Sequence, residues 1–228
     1  MRVVLTSGTL TDTANGNLSQ RYVYYCENLP RPTYEREDFI RKGAKRLVDI
    51  LDITHGKALV LFTAKSDMED VYDILQAKNL PYRILRQGEV PSQAALIREF
   101  ESDTDSVLLG TGAYWEGVSV EGKSLSNLVI FRLPFPMPDP VMERKALAAS
   151  DPLMDVQVPE MIIKLKQGIG RLIRNFTDSG IISVIDPRLR DAPPSRYHDT
   201  VWDALPVKNR TNSIRELRNF YKSLQTQG

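Results

Sequence analysis

Apolar positions set the rhythm of this chain from Tyr22 onward. The alternating run Tyr22 to Cys26 predicts a short strand, Asp38 to Leu51 a helix and Lys57 to Thr63 a buried strand. Ser66-Asp67-Met68-Glu69 fits a capping box that opens a helix to about Lys78. Strand Tyr82 to Leu85, a helix started by Pro91 and running to Phe100, strand Ser106 to Leu109 and strand Leu125 to Leu133 keep the same beat. A break at Pro134, Pro136, Pro138 and Pro140 leads into a helix ending near Ser150. Pro159 then starts a long helix through Arg174, and Gly180 to Ile185 supplies a last core strand.

Strands alternating with helices imply an α/β fold, a doubly wound and mostly parallel sheet with helices on both faces. Such sheets place their ligands beyond the carboxyl ends of the strands. Two segments flank this body. Arg2 to Leu10 reads as a strand running into a polar stretch that carries the turn signal Asn15-Gly16, an arm or linker. From Thr211 the residues Ile214, Leu217, Phe220, Tyr221 and Leu224 form one helical stripe, which needs this sheet or a neighbouring domain to pack against.

Composition narrows the function classes. With 228 residues, 42% of them hydrophobic, the chain can bury an ordinary core. No apolar run approaches the roughly 20 residues of a membrane helix, and the start lacks a secretory pattern, so a cytoplasmic protein with no membrane contact is expected. Cys26 is the single cysteine, and His55 and His198 are the two histidines, so no metal site is expected. A net charge of +1 excludes a uniformly basic surface and leaves only local patches for nucleic acid.

Three stretches carry chemistry. In Gln167-Gly168-Ile169-Gly170-Arg171-Leu172-Ile173-Arg174, a continued helix would align Gln167, Arg171 and Arg174 on one face, with Ile162, Leu165, Ile169, Leu172 and Ile173 opposite. Two guanidiniums one turn apart suit a polyphosphate, although the same spacing also suits a solvated face of a core helix. Gly168 and Gly170, costly inside a helix, point to close approach of another backbone or a ligand. The second stretch, Gly110-Thr111-Gly112-Ala113-Tyr114-Trp115-Glu116-Gly117-Val118-Ser119, follows a strand directly, where turn chemistry explains the glycines but not the aromatic, acid and further glycine after them. In the third, a buried strand delivers Thr63, Lys65 and Ser66 to a helix start, a place suited to anions. Tyr114 and Trp115 either stack on bases or lie buried, and Phe135 in Leu133-Pro134-Phe135-Pro136 is either a wedge or an ordinary core aromatic.

These stretches resemble, in order, motifs six, five and four of DinG/XPD-type superfamily-two helicases. Leu133-Pro134-Phe135-Pro136 is similar to a stretch of DinG proteins, and Thr6-Ser7-Gly8-Thr9-Leu10 to motif three with Gly8 in place of alanine. The resemblance implies the second RecA-like motor domain over 22–205, the end of the first motor domain or a linker over 1–21, and a carboxy-terminal amphipathic helix over 206–228. It implies catalytic roles for Arg171 and Arg174 at the γ-phosphate of ATP, nucleotide contacts from Gln167, Gly112, Glu116 and Gly117, and contacts to single-stranded DNA from Thr63, Lys65, Ser66 and Trp115. Ser119 stands where the family has aspartate, which puts the sugar contact there in doubt. No phosphate loop and no Asp-Glu-x-His motif is present, so ATP and magnesium would be held mainly by a first RecA-like domain, with neither bound tightly by this chain. The expected function is a motor half that is inactive alone. The alternative is a non-catalytic single-stranded nucleic-acid-binding or regulatory module. No iron–sulphur cluster is expected within this chain.

Overall fold

A computed structural model describes residues 21–115, 125–170, 172 and 179–226. The motif-three-like stretch, Glu116, Gly117, Ser119, Ile173, Arg171 and Arg174 lie outside those residues. The strands are β1 (Arg21–Tyr25), β2 (Ala58–Phe62), β3 (Ile84–Arg86), β4 (Val107–Gly110), β5 (Asn127–Phe131), β6 (Gly180–Ile185) and β7 (Arg210–Thr211). They form one sheet in the order β3-β4-β2-β5-β6-β1-β7, and every pair is parallel. The helices are α1 (Arg36–Thr54), α2 (Lys65–Gln76), α3 (Gln93–Ser102), α4 (Pro140–Ala148), α5 (Val158–Ile169), α6 (His198–Ala204) and α7 (Ile214–Thr226).

Side-chain alternation along the strands sorts the core into two layers. Leu59 and Leu61 of β2, Leu128 and Ile130 of β5, and Ile182 and Val184 of β6 face α3, α5 and α6. Val60 and Phe62, Val129 and Phe131, and Ile181 and Ile185 face α1, α2 and α7. A strand apolar on both faces is what a sheet covered on both sides requires, and β2 is buried at all five positions. The tail stripe finds its partner in this sheet: Leu217 and Tyr221 are buried against the second layer, and β7 extends the sheet just before α7.

Most element boundaries differ from the sequence pattern by a few residues, and α6 and β7 were not expected from it; three helix ends show the local reason. The expected capping box at Ser66 does not form, because α2 begins one residue earlier at Lys65 and its cap position is Ala64, which has no side-chain oxygen to offer. Pro91 does not start α3; Ser92 caps it, accepting a hydrogen bond from the Ala95 amide at 3.2 Å. Pro159 is not the first residue of the last long helix: α5 starts at Val158, directly after a π-helical turn over Leu153–Gln157, and its last residue is Ile169.

Candidate functional site

Because the strands are parallel, their carboxyl ends share one rim. At that rim β2 leaves toward the layer holding α2, while its neighbours β4 and β5 leave toward the opposite layer, where Tyr114, Trp115 and Leu133 are buried. Divergence of neighbouring chain exits marks the place where doubly wound folds usually take their ligands. Thr63, Lys65 and Ser66 follow β2 at this rim, and Gly112 and Trp115 follow β4.

On the β2 side, Lys65 and Ser66 are exposed and Thr63 is half-buried. With no side-chain cap at Ala64, the first turn of α2 presents its amides without a side-chain acceptor at the cap position. Asp67 in that turn is buried and receives Arg36 Nε at 2.9 Å; Arg132, which follows β5, approaches it at 3.5 Å. Arg36 also donates to Asp70 at 2.6 Å, and that bond is the leading reason its guanidinium is held charged even more firmly than usual. This pairing ties the start of α1 to α2 and keeps cations along the rim. Lys65 reaches Glu69 at only 3.5 Å and is 72% exposed, so its ammonium remains available to solvent.

On the β4 side, a 3₁₀ turn over Gly112–Trp115 follows the strand. Gly112 takes φ +49°, a backbone conformation that favours glycine, and among the described residues nothing stands within 4 Å of where a Cβ would lie. Gln87, just past β3, accepts both hydrogens of Thr111: the amide at 2.7 Å and the hydroxyl at 3.0 Å. The motif reading missed this residue. Its partner lies on a neighbouring strand, and no local pattern in the sequence could have paired them.

Trp115 corrects an expectation. It is 0% exposed, and its indole N–H donates to the Phe62 carbonyl at 2.8 Å, so no base can stack on it. Tyr114 is buried as well, and burial raises its phenol above the ordinary value. What Trp115 touches instead is α5: a Cβ built on Gly168 would stand 2.9 Å from the ring. The close approach read from Gly168 is thus real, and its partner is a side chain. At Gly170 a Cβ would meet, among the described residues, only the Gln167 and Lys166 carbonyls of its own helix, at 3.4 and 3.5 Å. Leu165, Ile169 and Leu172 are buried as the apolar stripe requires, and Gln167, on the exposed side of α5, engages a neighbour.

The Leu133-Pro134-Phe135-Pro136 stretch is held by Asp186, a fully buried carboxylate at the end of β6. It accepts the Leu133 amide at 2.8 Å, the Arg188 amide at 2.9 Å and three bonds from the Arg188 guanidinium, at 2.9, 3.2 and 2.6 Å. Arg188 in turn covers the Phe135 ring at 4.8 Å, and Tyr197 meets the same ring edge-on at 5.4 Å. Phe135 is accordingly a packed aromatic in a stiff connection.

A wholly parallel sheet with helices on both faces and strand exits that diverge in this way defines an α/β domain of the RecA-like class. The model of the helicase C-terminal domain family matches residues 47–208, and the chain belongs to that family. The relatives it resembles in sequence are named as YoaA and DinG helicases or exonucleases. It is 32% identical over 222 residues to the ATP-dependent DNA helicase YoaA of Haemophilus influenzae, covering 91% of this chain and 34% of that protein. Against the 3'-5' exonuclease DinG of Bacillus subtilis it is 33% identical over 188 residues, covering 79% of this chain and 19% of the relative. The chain thus spans about a third or less of the length of the curated relatives it matches. Among solved structures, an apo XPD chain superposes with a TM-score of 0.61 at 20% identity, covering 83% of this chain and 39% of that one. Saccharomyces cerevisiae Dbp5 bound to RNA and ADP BeF3 gives 0.54 at 17% identity, over 90% of this chain and 44% of the other; these two likenesses speak to the fold.

Proposed function

We propose that this chain is the half of an ATP-driven DNA motor that supplies cations to a triphosphate held by a sister RecA-like lobe and carries part of the track for single-stranded DNA. What supports it is the match to the helicase C-terminal domain family together with the contact of Trp115, in the turn after β4, with both the end of β2 and Gly168 of α5. In this reading Arg171 and Arg174 offset charge at the γ-phosphate, and Gln167, Gly112, Glu116 and Gly117 line the nucleotide side of the rim. Thr63, Lys65, Ser66 and the uncapped first turn of α2 meet backbone phosphates of the strand. Magnesium arrives with the triphosphate on the sister lobe, and no iron–sulphur cluster is assigned to a chain with one thiol. A cytoplasmic location goes with this reading; among the described residues no helix is long and apolar enough to cross a membrane.

Reconstitution tests it. The chain is mixed with the phosphate-loop lobe of the same motor, and ATP hydrolysis is followed with and without single-stranded DNA. Neither component should turn over alone, and the mixture should hydrolyse ATP in a strand-stimulated manner. Strand binding with no hydrolysis in the mixture would mark the chain as a binding module instead.

A further inference from the structure

We infer that Trp115 is a positioning residue whose indole sets where the carboxyl half of α5, and with it the segment leading to Arg171, sits against the loops after β2 and β4. The mechanistic consequence rests on the proposed function; the positional claim does not. Trp115 is a rigid plate fixed at three points in two elements, β2 and α5. Its N–H is bonded to the Phe62 carbonyl at the last residue of β2. Its Cζ3 and Cε3 atoms lie 2.9 and 3.1 Å from where a Gly168 Cβ would stand, so the ring rests where α5 has no side chain. Lys164, one turn earlier on the same helix face, holds its ammonium 5.5 Å from the ring centre.

The contact reaches α5 near its end. Gly168 precedes the closing residues Ile169 and Gly170, and Leu172 continues the buried stripe beyond them. A shift of the ring therefore moves the end of the helix that bears Gln167. Phenylalanine fills much of the same volume but has no N–H for the Phe62 carbonyl. Alanine at Gly168 keeps the indole bond but pushes the ring by a few tenths of an ångström, since 2.9 Å is below ordinary carbon contact.

Two measurements test this. In the chain alone, Trp115→Phe should speed amide exchange across 165–172 by about ten-fold while α1 and α7 keep their protection. Unchanged exchange there, or a uniform rise through the whole fold, overturns the positional claim whatever the chain's function. In the reconstituted motor, Trp115→Phe should lower kcat per folded chain by roughly ten-fold, with KM for ATP and the half-saturating strand concentration each within about three-fold. Gly168→Ala should give the same split more weakly, and the double variant should lose less than the product of the two, because both act through one contact. A change in KM or strand affinity with kcat intact, or effects that multiply, contradicts the assignment. Should the parent mixture fail to hydrolyse ATP, the proposed function falls while the exchange result still decides the role of Trp115.

Discussion

Asp186 shows how much of the rim depends on single buried groups. Its carboxylate is fully buried, and Arg188, 24% exposed, closes the pair while covering Phe135. Removing one partner of such a pair strands the other's charge and orphans the Leu133 amide. Asp186→Ala is accordingly expected to cost about 3 kcal/mol, read from the midpoint of urea unfolding. A loss within error of zero would mean that the pair contributes nothing to the fold. Residues of this sort are hard to read from sequence. Asp186 and Gln87 look like ordinary polar positions, and although Trp115 stands out in its motif, its partner Phe62, like Leu133 and Thr111, lies on another strand or loop. That Thr63, Lys65 and Gly112 stand just past the ends of β2 and β4 was legible in the pattern. The exposure of a neighbouring Trp was not, since periodicity ends where the turn begins.

At the scale of elements, strands were easier to place than helix ends. β6 has the bounds the pattern predicts, because a run of β-branched residues between Gly180 and Asp186 is apolar on both faces. The ends of α2, α3 and α5 moved because they are decided by which atom satisfies the terminal amides and carbonyls, a matter of one hydrogen bond. The tail helix α7 was legible as a stripe, yet its partner was not, since an amphipathic face does not name what it covers. The structure packs it against this sheet, with Leu217 completely buried. Leu217→Ala should therefore destabilise the chain by roughly 2–4 kcal/mol in chemical denaturation. A loss below about 0.5 kcal/mol would show that α7 is not anchored to the sheet in solution.

The whole molecule carries several buried weak acids, and they set its response to alkali. Burial pushes the Cys26 thiol from its ordinary 9.0 up to about 12, and it raises the phenols of Tyr24, Tyr25 and Tyr82, with Asp191 adding to the rise at Tyr25 through a hydrogen bond. An acid whose folded value is raised stabilises the fold in its neutral form. That contribution is complete below pH 9 and is lost as pH climbs toward 12. The thermal midpoint should fall steadily across that window, and a flat profile there would contradict the burial of these groups.

On the same scale, the proposed function has Arg171 act on a triphosphate bound by a sister lobe. The most direct measurement is the steady-state kinetics of the reconstituted motor carrying Arg171→Ala. An interaction made chiefly in the transition state predicts kcat lower by about 10³-fold or more, with KM for ATP within a few-fold of the parent. Unchanged kcat, or a rise in KM alone, would contradict the account.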